Sequence, residues 1–148
     1  MAAKTDYRNI VNETNLFSGV SEKILDQIVE TSKARKYRAD ELIYKPGDDA
    51  IDIYLLLSGL IRFSLMGGAK SPSTGTIMRS RMIFGWAALV PEHPRRVATA
   101  KCIDPSTLLV MNGDRVMEAL RDDPGSGFKV MERLCSMIAR NFMEERRG

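Results

Sequence analysis

Histidine and tryptophan each occur once in this chain, at His93 and Trp86, and cysteine only twice, at Cys102 and Cys135. The cysteines have no metal-ligand spacing and cannot make a disulfide framework, which points to reduced thiols and a cytoplasmic setting. His93 has no cysteine or carboxylate at useful spacing and reads as a solvent-exposed loop residue. Neither it nor Cys102 has a second ligand, so no haem centre and no metal site is expected. Long apolar runs are also missing. The longest, around Ile53 to Ile61, is interrupted by Ser58-Gly59 and falls far short of the ~20 residues a membrane helix needs. Met1 to Asn15 is polar, so no secretory leader opens the chain. There is no Ser-His-Asp or Cys-His order with a supporting motif, no pair of carboxylates in a recognisable setting, and no Walker loop. The expectation is a protein that is not an enzyme and carries no cofactor.

What is present fits one soluble domain. The 148 residues are 44% hydrophobic and 28% charged, enough for a real core. The net charge of +3 and pI near 9.0 lean weakly towards anionic partners. The densest basic run, Lys33-Ala34-Arg35-Lys36-Tyr37-Arg38, would alternate along a strand, so it reads as a solvated strand face, with a phosphate or nucleic-acid patch as the alternative. Residues 1–33 read as helical: Ser21 can cap a helix in which Ile24, Leu25, Ile28 and Val29 share a face. Then the period changes. Leu42-Ile43-Tyr44 is a short strand and Lys45-Pro46-Gly47-Asp48 a turn. Asp52 to Leu57 and Leu60 to Leu65 flank Ser58-Gly59, which predicts a hairpin. Gly67 to Gly75 reads as a loop, and Thr76 to Ser80, Arg96 to Ile103 and Thr107 to Met111 as further strands. Short strands at this spacing predict a sandwich or barrel over 34–111.

Residues 112–146 return to helix. Asn112 caps a helix carrying Val116, Met117 and Leu120, and Asp123-Pro124 opens another. In that last helix Phe128, Met131, Cys135, Ile138 and Phe142 are spaced 3, 4, 3, 4, with Val130, Leu134 and Met137 in a row beside them. One row packs a helix on its own domain; two predict a homodimer through this helix, and burial of both rows by its own domain is the alternative.

The stretch that carries chemistry is 84–100. Phe84-Gly85 leads into Trp86-Ala87-Ala88-Leu89, room for one helical turn. Pro91-Glu92-His93-Pro94 bends the chain, and Arg95-Arg96 then opens a strand. A helical turn presents free N–H groups, and a nearby guanidinium adds a fixed positive charge; together they can seat a phosphate. This segment resembles the phosphate-binding cassette of the cyclic nucleotide-binding domain family, whose members carry Phe-Gly-Glu-Leu-Ala-Leu, a short linker, then Arg-x-Ala-Thr. Further matching marks are Leu16-Phe17-Ser18-Gly19-Val20-Ser21, Pro46-Gly47-Asp48, Tyr54 to Gly59, and Asp114-Arg115. From about Leu16 to Phe142 the order of features is similar to that family and to the sensor half of the catabolite activator group. The fold so implied is mainly β with flanking helices: a double-stranded β-helix, or jelly roll, with a small helix in the cassette.

The resemblance implies a ligand-binding set of Gly85, Trp86, Ala87, Ala88, Arg96, Val97, Ala98 and Thr99. Arg96 would pair with a cyclic phosphate, its planar fork of donors suiting that job; a surface arginine at a strand start is the plainer reading. Arg95 should point to the opposite side. Gly85 allows close backbone approach or is a turn glycine. Thr99 either offers a hydroxyl or is a β-branched strand residue. Trp86 stands where the family has a glutamate that accepts hydrogen bonds from the ribose hydroxyl, and indole has a donor but no acceptor. It stacks on a different ligand, fills the ribose space, faces outward as a contact surface, or fills the core.

The function implied is a stand-alone regulatory module sensing a small anionic ligand, cyclic AMP or another cyclic nucleotide, and read by an unidentified protein partner. The alternative is a ligand-free form of the same fold acting as a dimerisation or protein-interaction module. The catabolite activator group carries a helix-turn-helix domain after its long helix; no residues remain for one here, so no DNA binding by this chain alone, and no membrane association, are expected.

Overall fold

The computed structural model describes residues 4–65, 76–92 and 94–147; His93 and the segment Gly67 to Gly75 lie outside the described residues. Two helices lead, α1 (Lys4–Asn12) and α2 (Glu22–Glu30). Ser21 caps α2 as its side chain accepts the Ile24 N–H, and Ile24, Leu25, Ile28 and Val29 are buried along one stripe. Eight strands follow among the described residues: β1 (Lys33–Tyr37), β2 (Leu42–Tyr44), β3 (Asp52–Ser58), β4 (Ile61–Leu65), β5 (Thr76–Met78), β6 (Ile83–Phe84), β7 (Ala98–Cys102) and β8 (Ser106–Asn112). They form two four-stranded sheets, ordered β1-β8-β3-β6 and β2-β7-β4-β5, with every pairing antiparallel. This is the jelly roll that the family resemblance implies.

The two central strands of the first sheet, β3 and β8, are apolar on both faces, and alternation along them sorts the residues. Ile53, Leu55, Leu109 and Met111 join the helices in one core cluster. Tyr54, Leu56, Leu108 and Val110 meet Ile61, Ala100 and Cys102 of the second sheet in another.

The Ser58-Gly59 hairpin is not formed. β3 pairs with β6 and β8, β4 with β5 and β7, so this turn carries the chain from one sheet to the other. Gly59 has φ +111°, and a Cβ there would lie 2.1 Å from Ser106 Oγ. That hydroxyl accepts the Leu60 N–H at 3.2 Å and donates to the Asp104 carbonyl at 2.8 Å. The corner is thus fastened to β8, a partner that nothing local in the sequence names.

Asn112 caps α3 (Gly113–Asp122), accepting the Arg115 N–H at 3.0 Å. Pro124 opens α4 (Pro124–Arg147), where Val130 and Leu134 are buried. The other row divides: Phe128 is 68% exposed and Cys135 is exposed, while Met131 and Ile138 are half-buried against the helix-side core. Ser126 ties α4 to the cap of α2, its hydroxyl accepting the Ser21 N–H at 3.0 Å and donating to Asp123 at 2.8 Å. Arg133 donates to the carbonyls of Leu16 and Ser18.

Candidate ligand site

β6 is only two residues long and pairs with Tyr54 and Leu55. It delivers the chain to Gly85, which has φ +84°, a backbone conformation costly for any residue with a Cβ. Space adds a second demand. A Cβ at Gly85 would sit 3.1 Å from the Tyr54 ring, 3.2 Å from Arg96 Nη1 and 3.2 Å from the Asp52 carbonyl. Trp86–Leu89 then forms one 3₁₀ turn, with Ala88 N–H bonded to the Gly85 carbonyl at 3.2 Å. The first N–H groups of such a turn precede any acceptor of its own. Ala88 and Leu89 are buried, while Ala87 is half-buried.

The two arginines diverge, as alternation predicts. Arg95 is exposed and ties itself to the turn after β2: it pairs with Asp49 at 3.1 Å and donates to the Gly47 carbonyl at 2.9 Å. Arg96 points inward and is only 5% exposed. Its main chain bonds to the same turn, N–H to the Asp48 carbonyl at 2.8 Å and carbonyl to the Gly47 N–H at 2.9 Å. Its guanidinium lies 4.2 Å over the Tyr44 ring and 5.9 Å from the Tyr54 ring, a cation–π pairing. Nη2 donates to the Asp52 carbonyl, and Nε is buried with no partner.

Around this guanidinium the chain builds an aromatic wall. Tyr54 and Phe84 stack with centroids 5.1 Å apart, and Tyr44 sits 6.0 and 6.3 Å from them. Burial raises the acid ranges of both tyrosines, with Arg96 opposing, and pushes Tyr54 up to about 12. Asp52 is two residues before Tyr54 on β3 and shares its face. Burial pushes its carboxyl up, while the charges of Arg35 and Arg96 hold it down. Arg35 lies on the edge strand β1, beyond β8 from Asp52, and the Tyr37 side chain raises its acid range.

Of the residues predicted for the site, the fold brings Gly85 and Arg96 into contact, with Ala87 and Ala88 on the turn that follows. Trp86 is half-buried and packs against the helix-side cluster. Val97 is 63% exposed. Ala98 is buried at the start of β7, and Thr99 pairs with Ser64 on the opposite face of the strand. Tyr44, Tyr54 and Asp52 were not singled out by the sequence. Alternation along β3 could have placed Asp52 with Tyr54, but only the sheet pairing brings them to Arg96. Among the described residues no group of three or more His, Cys, Asp or Glu could hold a metal ion, and no helix is long and apolar enough to cross a membrane.

Comparison with known proteins agrees with this fold. The chain is 26% identical over 113 residues to an anaerobic regulatory protein of Bacillus subtilis, covering 76% of this chain and 48% of that one. The chain spans about half the length of the curated relatives it matches. In structure it is similar to the sensor domain of the transcriptional regulator DNR from Pseudomonas aeruginosa, with a TM-score of 0.79 at 18% identity over 95% of this chain and 94% of that one. It is also similar to the regulatory domain of Toxoplasma gondii PKA crystallised with cAMP, with a TM-score of 0.70 at 23% identity over 80% and 45% of the two chains. The profile of the cyclic nucleotide-binding domain matches residues 34–123, more than half of the sequence. With this profile over its jelly roll, the chain belongs to the cyclic nucleotide-binding domain family.

Proposed function

We propose that this domain is a ligand-sensing regulatory module that seats a small anion, cyclic AMP or another cyclic nucleotide, on Arg96, with Gly85 and Ala87 lending backbone N–H groups and Ala88 closing the turn through its bond to the Gly85 carbonyl. Trp86, Val97, Ala98 and Thr99 belong to the same segment but support the seat rather than face it. The observation that carries this reading is the Arg96 guanidinium, 5% exposed with Nε unpartnered. A buried donor left unpaired costs roughly 1–3 kcal/mol, more for a charged group. An anion reaching it would recover that cost through charge-assisted bonds. Cyclic AMP in the related parasite regulatory domain supports the choice of ligand class.

The response follows from packing. Ala88 is pressed against Gly113 at the start of α3, so a shift of the turn moves α3 and, through it, α4. The exposed Phe128 and Cys135, with the half-buried Met131 and Ile138 between and beyond them on α4, form the surface by which two copies pair or a partner protein reads the signal.

One observation favours the second reading, a ligand-free interaction module. Arg96 already stacks on Tyr44 and bonds to Asp52, so the seat is closed by the protein's own groups. A thermal-shift screen with cyclic AMP, cyclic GMP and cyclic dinucleotides separates the two. A ligand at 100 times its Kd adds about 2.7 kcal/mol, a rise in Tm of roughly 5–10 °C for a domain of this size. The rise should disappear in Arg96→Lys, which keeps the charge but loses the fork. No shift with any of these ligands would favour the interaction module.

A further inference from the structure

The anion seat has a carboxylate beside it that the family resemblance does not account for. Asp52 opens β3 and points to the same face as Tyr54, into the space between the sheets. Its own carbonyl holds Arg96 Nη2 and lies against Gly85, so its side chain leaves the backbone at the seat itself. The carboxylate is half-buried and receives no hydrogen bond or ion pair among the described residues.

A carboxylate in that place acts in two ways. It repels any arriving anion that offers it nothing, because like charges in a partly desolvated space oppose each other. It also accepts hydrogen bonds without donating, so a hydroxyl carried next to the anionic group turns the repulsion into a charge-assisted bond. Trp86 has only a donor and packs on the helix side, so it supplies no acceptor.

We propose that Asp52 is the specificity-determining residue of this site: it selects an anion that bears a neighbouring hydroxyl and turns away a bare oxyanion such as inorganic phosphate. The inference rests on the reading of Arg96 as the anion seat. It works by discrimination between ligands, attraction for one and repulsion of the other.

Calorimetric titration of wild type, Asp52→Asn and Asp52→Ala with cyclic AMP, its 2′-deoxy analogue and inorganic phosphate tests it, with thermal melts confirming that each variant folds. Wild type should bind cyclic AMP about tenfold or more tighter than the deoxy analogue, the scale of a lost bond to a charged group, and should not bind phosphate at millimolar levels. Asp52→Asn keeps an acceptor but loses the charge, so it should retain part of the hydroxyl preference and admit phosphate. Asp52→Ala should admit phosphate and bind the two nucleotides within about twofold of each other, as expected once the acceptor is gone. A hydroxyl preference unchanged in Asp52→Ala overturns this inference alone. Wild type binding neither nucleotide overturns the anion-seat reading and this inference with it.

Discussion

Gly113→Ala separates local propensity from packing, because the two give opposite signs. Gly113 is the first residue of α3, and alanine is the better helix former by up to about 1 kcal/mol. The space is not there. A Cβ at Gly113 would lie 2.1 Å from the Ala88 carbonyl oxygen, 2.7 Å from its carbonyl carbon and 2.8 Å from its Cβ. All are backbone or buried atoms, and Ala88 is 2% exposed, so no flexible side chain can swing aside. Forcing atoms into a packed core costs typically ~1–3 kcal/mol. The clash wins, with a net loss of about 1–2 kcal/mol after the propensity gain. That is a fall in Tm of about 2–8 °C. Urea denaturation should show a lower midpoint with an unchanged slope. Because Ala88 belongs to the seat, ligand binding should weaken as well. A variant as stable as wild type, or more so, would refute the contact between the cassette turn and α3 and the route of transmission built on it.

The open face of α4 should drive self-association: sedimentation should give about twice the monomer mass, and Ile138→Asp should lower it, whereas a concentration-independent monomer would remove the dimer. Spectrophotometric titration should show Tyr44 and Tyr54 ionising above the usual tyrosine value of about 10. Their folded ranges are raised, so their contribution to stability is complete below the unfolded value of about 10 and is lost as pH climbs past it. Tyr54→Phe should therefore soften the alkaline transition, and Tyr44 and Tyr54 ionising near 10 would argue against the buried aromatic wall.

Local chemistry was readable where it is local. Ser21, Asn112 and Pro124 mark helix starts because a cap or a missing N–H acts within one turn. The Gly85–Leu89 turn and the divergence of Arg95 from Arg96 follow from glycine's freedom and from strand alternation. What escaped the sequence depends on pairing across distance. The Ser58-Gly59 corner looks like a hairpin until Ser106, far along the chain, is seen to hold it. β6 is too short to show a period, and only its register against Tyr54 and Leu55 defines it. Tyr44 and Asp52 come from different sheets and meet at Arg96 through the fold alone. Trp86 looks like a ligand residue by its place in the cassette, yet the tight turn after Gly85 directs it to the helix-side cluster. The 3-4 row on α4 was legible as apolar, but which row faces inward was decided by Val130 and Leu134.

The central claim is that Arg96 Nε, buried without a partner, is where the ligand's anion is met. NMR of arginine side chains reads it directly. The Arg96 Nε–H signal, identified by its loss in Arg96→Lys, should move downfield and exchange more slowly as cyclic AMP is added, saturating with the calorimetric isotherm. A signal that stays fixed while cyclic AMP binds, or a protein that cyclic AMP leaves unchanged, would contradict the account.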